Sequence, residues 1–394
     1  MRDPMGADGP GAARGAAAAY RAPATDAPPS GAPATYTWEP TTDAIAAQYG
    51  LPRESIVRFD VNTSPVPPDL HDVLAGSFDP PLSEYPPSDY ATLVAAAAAA
   101  YGVGEDEILP TAGADEALDL TARAFLREGS TAVVAAPTYA MYQIVAEQRG
   151  ARVVNVPRLG PDDDFGLDIP ALVAAARNAS LVWLCEPNNP TGASERPEVV
   201  AELLAAIAAQ AERDGVEPPA VCVDEAYAEF VGRSVLPLRR AYPRLVVVRT
   251  LSKAHALAGI RVGFAVAQSG TLAPILAYRA PASVSTVSAA LATASLHRPD
   301  VATANVARIA EQRNRLAREL PPLGWKPYPS VTNFVLVPFG SAEAAAAAGE
   351  RLMRRGLVPR TFGDGHPFAH CLRLTVRSAA ENDRLIEAAG EIEA

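Results

Sequence analysis

The chain predicts an α/β fold: a large domain built on a mostly parallel sheet, followed by a smaller α+β domain. Three observations carry that expectation. Apolar, β-branched runs alternate with helical segments through the middle of the chain. The residues able to do chemistry stand just after those runs, at strand ends, where open α/β sheets collect their ligands. A length of 394 residues is enough for two domains with substantial cores.

The elements follow in order. Residues 1–35 are rich in Ala, Pro and Gly and lack aliphatic periodicity, so they cannot offset the entropy of ordering and are expected to be disordered. Asp3 and Asp8 interrupt the start, and Ala17–Ala19 is no leucine-rich apolar stretch, which argues against a signal peptide. Structure is expected from about Tyr36, with a short helix over Thr42–Tyr49. Residues 36–66 form a segment joining the small domain, 67–286 the large domain and 287–394 the small one. Leu93–Tyr101 is mostly alanine and too short to span a bilayer. Gly113 followed by Ala114-Asp115-Glu116-Ala117-Leu118 reads as a glycine turn opening a helix. Free backbone N–H groups there suit a phosphate, and simple capping by Asp115 explains the same residues. Strands are expected at Thr131–Ala136, Leu181–Leu184, Ala220–Val223, Leu245–Val248 and Ile260–Val266.

Composition excludes several function classes. A net charge of −11 argues against nucleic acid or an anionic membrane as partner, since either calls for a basic face. Cys185, Cys222 and Cys371 show no Cys-x-x-Cys spacing and read as small apolar residues in a reducing cytoplasm. The five histidines have no metal-ligand pattern; His366 and His370, four apart, span a proline-containing loop. No metal is expected.

Chemistry concentrates in three places. In Thr250-Leu251-Ser252-Lys253 a lysine follows two hydroxyls at the end of Leu245–Val248, with Arg261 eight positions on (261 − 253). Hydroxyls and a guanidinium suit a phosphate, and a lysine beside them suits a Schiff base to a phosphorylated aldehyde, as in pyridoxal phosphate. Read alone, the motif also fits a solvated surface loop. A pyridoxal ring needs an acid at its nitrogen, and Val223-Asp224-Glu225-Ala226-Tyr227 supplies one 29 residues earlier (253 − 224). Asn188-Asn189-Pro190-Thr191-Gly192 puts an amide before a turn at the end of a third strand.

In that order the motifs resemble those of the fold-type-I, pyridoxal-phosphate-dependent aminotransferases of class I/II, most closely the histidinol-phosphate aminotransferase branch. The residues that carry the resemblance are Asn189-Pro190-Thr191-Gly192, Asp224-Glu225-Ala226-Tyr227, Thr250-Leu251-Ser252-Lys253-Ala254 and Ala258-Gly259-Ile260-Arg261-Val262-Gly263. Gly113-Ala114-Asp115-Glu116, Pro137-Thr138-Tyr139-Ala140-Met141-Tyr142, Ser330-Val331-Thr332-Asn333-Phe334 and Leu372-Arg373-Leu374-Thr375 add to it. The resemblance runs from about Tyr36 to the C-terminus.

The resemblance implies pyridoxal 5'-phosphate as cofactor, with Lys253 as the covalent anchor and proton shuttle and Asp224 at the pyridinium nitrogen. Tyr227 and Asn189 would hold the phenolic oxygen, and Tyr139 would stack on the ring. Thr250, Ser252, Arg261 and the backbone at Ala114 and Asp115 would take the phosphate. Tyr85 resembles the family tyrosine that reaches the neighbouring subunit's phosphate, which implies a homodimer. Arg373 and Arg360, with Asn62 and Asn333, would face the substrates, an amino donor and a 2-oxo acid; the first choice is histidinol phosphate with 2-oxoglutarate. The alternatives are an aromatic amino-acid aminotransferase, a threonine-phosphate decarboxylase and a secondary-metabolism relative. Two departures bear on the substrate: Val61-Asn62-Thr63-Ser64-Pro65 lacks the family's glutamate, and Arg377 stands where glycine is common.

Overall fold

The computed structural model describes residues 35–36 and 39–392, so the expected tail lies outside the described residues except for Thr35. The first helix, Thr42–Tyr49, has the predicted bounds. The Thr41 hydroxyl accepts the Ala44 N–H at 3.1 Å at its start, and Gly50 ends it in the left-handed conformation, φ 66°.

Eleven strands are described: β1 Val57–Arg58, β2 Ile108–Thr111, β3 Thr131–Ala136, β4 Arg152–Pro157, β5 Leu181–Cys185, β6 Ala220–Asp224, β7 Leu245–Thr250, β8 Gly263–Val266, β9 Phe334–Pro338, β10 Leu357–Val358 and β11 Cys371–Thr375. Seven of them form one sheet in the order β2-β8-β7-β6-β5-β3-β4. Neighbours from β4 through β7 pair in parallel, and β8 runs antiparallel to both β7 and β2. The expected mostly parallel sheet is therefore present, with one reversed strand. Between β7 and β8 the chain crosses by a loop with only a short 3-10 turn, Ala258–Ile260, and without a crossover helix the returning strand must be antiparallel.

That turn also corrects the strand expected over Ile260–Val266. Arg261 adopts φ 53°, a left-handed conformation that a strand cannot contain, so pairing begins at Gly263. Strands β5, β6 and β7 run one or two residues further than expected and take Cys185, Asp224 and Thr250 into the ladder.

Successive side chains point to opposite faces of a strand, and both faces of this sheet are buried. Val221, Val223, Leu245 and Val247 pack on one side with Leu93, Leu172 and Leu203 from the helices Ala91–Tyr101, Ile169–Ala176 and Pro197–Asp214. On the other side Trp183, Cys222, Val246 and Val248 meet Leu118, Tyr142 and Ile275 from Ala114–Phe125, Met141–Gln148 and Ser269–Leu276. All three cysteines are free and buried, in keeping with their reading as small apolar residues. A separate core, including Phe59, Trp325, Phe334, Leu372 and Leu374, surrounds the antiparallel pair β9–β11. Phe59 ties β1 into it: its N–H donates to Val358 at 2.9 Å and its carbonyl accepts from Thr375 N–H at 2.7 Å.

Candidate active site

The carboxyl ends of β3, β5, β6 and β7 open into a cavity of about 400 Å3, a size that suits a cofactor with a small substrate. Thr138, Cys185, Asp224 and Thr250 reach it from those four ends, which is why the sheet registers matter here. Of the predicted site residues, Asn62, Ala114, Asp115, Tyr139, Asn189, Asp224, Tyr227, Thr250, Ser252, Lys253, Arg261, Arg360 and Arg373 all line it. Sequence separations of up to 311 residues (373 − 62) close into one pocket.

Asp224 is buried at 4% exposure. Its Oδ2 accepts the Tyr142 hydroxyl at 2.8 Å and its Oδ1 the Ala226 N–H at 3.0 Å. Burial pushes its carboxyl up to about 6, against the opposing pull of those two bonds. Lys253 is the complementary case. Burial brings its amine down to about 8, and Arg373 adds repulsion while Asp115 and Asp224 oppose the change. Its Nζ lies 5.8 Å over the Tyr227 ring. A buried amine held short of full protonation is the state a nucleophile or base requires.

A cluster of hydroxyls and uncapped backbone amides lies beside it. Thr250 and Ser252 hydroxyls are 3.0 Å apart, and the Ser252 N–H donates to Thr250 Oγ1 at 3.2 Å. The helix Ala114–Phe125 starts at Gly113 without a side-chain cap, leaving its first N–H groups for a ligand. Two glycines allow the approach. A Cβ at Gly263 would come within 2.6 Å of the Ala114 nitrogen, and one at Gly113 within 2.5 Å of Arg261 Nη2. Arg261 Nη2 stands 3.2 Å from Asp115 Oδ2, and Tyr139 donates to Asp115 Oδ1 at 3.1 Å. Open amides, hydroxyls and a guanidinium, with a buried amine and a buried carboxylate nearby, fit the phosphate, aldehyde and ring nitrogen of pyridoxal phosphate.

On the side built from the small sheet, Arg360 and Arg373 exchange backbone hydrogen bonds, both 3.0 Å. Arg373 donates to Asn189 Oδ1 and to the Asp60 carbonyl, each at 2.6 Å. Arg360 is hydrogen-bonded to Glu39. Asn62 donates through Nδ2 to the Tyr227 hydroxyl at 3.1 Å, and burial raises that phenol above its ordinary range.

Two predicted residues stand elsewhere. Asn333 is fully buried behind the pocket, where its Nδ2 holds the Asn62 carbonyl at 2.9 Å; it positions a lining residue and does not face the cavity. Tyr85 is 88% exposed and outside its own chain's cavity. Arg377, the residue that stands where glycine is common, pairs with Glu381 at 2.9 Å outside the cavity. The sequence reading gave no role to Tyr142, which enters the site from the helix Met141–Gln148 as the partner of Asp224, and it missed Tyr36, Glu39, Asp60, Phe362 and His366 in the lining. Among the described residues no group of His, Cys, Asp or Glu has metal-site geometry.

Comparison with known proteins agrees with this geometry. The family described as aminotransferase class I and II matches residues 60–388. The chain belongs to the class I and II aminotransferases. It is a pyridoxal-phosphate-dependent enzyme of fold type I, as its motifs implied. The histidinol-phosphate aminotransferase of Roseiflexus castenholzii is 36% identical over 360 residues, covering 89% of this chain and 93% of that one. That of Xanthomonas euvesicatoria is 37% identical over 324 residues, 80% of this chain and 86% of that one. The crystal structure of the Sinorhizobium meliloti histidinol-phosphate aminotransferase, in complex with pyridoxal-5'-phosphate, superposes with a TM-score of 0.80 at 28% identity, over 90% of this chain and 95% of that one.

Proposed function

We propose that this aminotransferase uses histidinol phosphate as amino donor and 2-oxoglutarate as acceptor, in a ping-pong cycle. The observation that carries the reading is the adjacency of Arg360 and Arg373 in the cavity that also holds Lys253 and Asp224. Two guanidiniums suit a phosphate monoester in one half-reaction and a dicarboxylate in the other. The names of the relatives support it.

Pyridoxal phosphate, when bound, supplies an electron sink for the charge left on the substrate's α-carbon. Lys253 would hold it covalently and, once released, move the proton between that carbon and the cofactor's C4′; its lowered amine pKa keeps a neutral fraction available for this. Asp224 would keep the ring nitrogen protonated, oriented by Tyr142 and the Ala226 N–H. Tyr227 and Asn189 would hold the phenolic oxygen, and Tyr139 would pack on the ring. Thr250, Ser252, Arg261 and the N–H groups of Ala114 and Asp115 would bind the phosphate. Arg373, fixed by Asn189 and the Asp60 carbonyl, would orient the substrate.

A homodimer is part of the proposal, with exposed Tyr85 reaching the partner's phosphate site. So is a division into residues 36–66 with 287–394 as one domain and 67–286 as the other. The cytoplasm is the proposed compartment, on three buried and unpaired cysteines. Among the described residues no helix is long and apolar enough to cross a membrane.

Steady-state kinetics on histidinol phosphate, phenylalanine and O-phosphothreonine test the substrate. Arg360→Ala is expected to lower kcat/KM for histidinol phosphate by about ten- to a hundredfold, the worth of one charge-assisted bond. Efficient phenylalanine turnover with none of histidinol phosphate would overturn the proposal.

A further inference from the structure

Four cationic side chains line the cavity, Lys253, Arg261, Arg360 and Arg373, against four carboxylates, Glu39, Asp60, Asp115 and Asp224. Three of the carboxylates are accounted for. Asp224 is held for the ring nitrogen, Asp115 stands at the helix start beside Arg261, and Asp60 takes two bonds from Arg58, at 2.8 and 2.6 Å. Glu39 has no such task. It comes from the segment before the Thr42–Tyr49 helix, and its Oε1 accepts from Arg360 and, at 3.3 Å, from the Tyr36 hydroxyl.

The position of this pair gives it consequence. Arg360 and Glu39 are 33% and 20% exposed, so their charges are partly shielded from water and each needs a partner. An anion reaching Arg360 must therefore replace the Glu39 carboxylate or sit against it as a like charge. Glu39 is near enough to solvent to regain water when displaced. A substrate without an anionic side chain leaves the pair intact and strands no buried charge. The pair thus weighs substrates with an anionic side chain against substrates without one.

We infer that Glu39 is a specificity-determining residue: it satisfies Arg360 when no substrate anion is there and competes with that anion when one arrives. The inference rests on the reading that Arg360 faces the substrate's anionic group, and it assigns to the N-terminal segment the setting of that affinity.

Inorganic phosphate, titrated calorimetrically into the cofactor-loaded enzyme, tests the inference without turnover. Glu39→Gln keeps an acceptor for Arg360 but removes the competing charge, so phosphate should bind about tenfold more tightly, a gain of about 1.4 kcal/mol. In kinetics the same variant should lower KM for a phosphorylated donor by a similar factor, raising the preference for it over phenylalanine. Combined with Arg360→Ala, Glu39→Gln should gain less than it does alone, since the competition for the arginine is gone and only like-charge repulsion is relieved. Should Arg360→Ala weaken phosphate binding while Glu39→Gln fails to strengthen it, the competition is refuted and the role of Arg360 stands. Should Arg360→Ala leave phosphate binding unchanged, both the inference and the reading beneath it fall. Glu39→Ala provides a second variant with the same expected direction.

Discussion

Replacing Asp224 with asparagine should have opposite effects on the cofactor-free and cofactor-loaded protein. Without cofactor the carboxylate is buried and held by two hydrogen bonds, with no ion pair to it among the described residues. Burial takes its pKa from an ordinary 3.8 to about 6. At about 1.4 kcal/mol per pH unit, the ionised form costs the cofactor-free fold about 3 kcal/mol near neutrality. The sign follows from proton binding: between those two values the folded state holds a proton that the unfolded state has released. The group's contribution is therefore most favourable at low pH and is lost as pH rises through about 6. Asparagine removes the charge, but one that turns its Nδ2 to the Tyr142 hydroxyl cannot accept that bond, which returns about 1 kcal/mol. Cofactor-free Asp224→Asn should thus be about 1–2 kcal/mol more stable than the parent at about pH 7.5, with the advantage gone by about pH 4. Urea unfolding at both pH values measures this. With cofactor, the same variant should lose most of its single-turnover rate, because the ring nitrogen loses its charged partner. A cofactor-free variant less stable than the parent near neutrality, or a loaded one with near-parental rates, would refute the reasoning.

Two further substitutions probe the scaffold. Gly263→Ala drives a methyl into the Ala114 nitrogen and the Gly113 carbonyl carbon, each 2.6 Å away, and must push the helix Ala114–Phe125, proposed to hold the phosphate, outward. Cofactor affinity, read by absorbance titration, should fall about tenfold or more, in line with about 1–3 kcal/mol for overpacking. Arg249→Ala leaves Glu225 and Glu229 without the guanidinium that bonds them at 3.0 and 2.7 Å. Losing one member of a buried ion pair costs about 3–5 kcal/mol in unfolding free energy, and mild acid should recover part of it by protonating Glu225, whose pKa burial already raises.

The sequence made the centre of the fold legible because its strands are short, apolar and β-branched, and because the chemistry follows them immediately. Leu245–Val248 with Lys253, and Val221–Val223 with Asp224, are such cases. The edges were less legible. In β2, Ile-Leu-Pro-Thr, Pro110 argues against a strand, and it is tolerated because β2 pairs on one side only. In β4 the exposed Arg152 and Asn155 break the apolar run of an outer strand. Most of the residues singled out by motif do line the cavity, but motif placement could not separate a pocket residue from its support. Asn333 belongs to the right sequence motif yet bonds the back of Asn62. Glu39 carries no local signal at all, because its meaning comes from Arg360, 321 residues away.

The measurement closest to the central claim is the site of covalent cofactor attachment. Borohydride reduction of the loaded enzyme, followed by digestion and mass spectrometry, is expected to put the pyridoxyl label on Lys253, whose amine is brought down to about 8 in the pocket. Lys253→Ala should take up no label and show no turnover. A label on Lys326, or retention of label and activity by Lys253→Ala, would contradict the account.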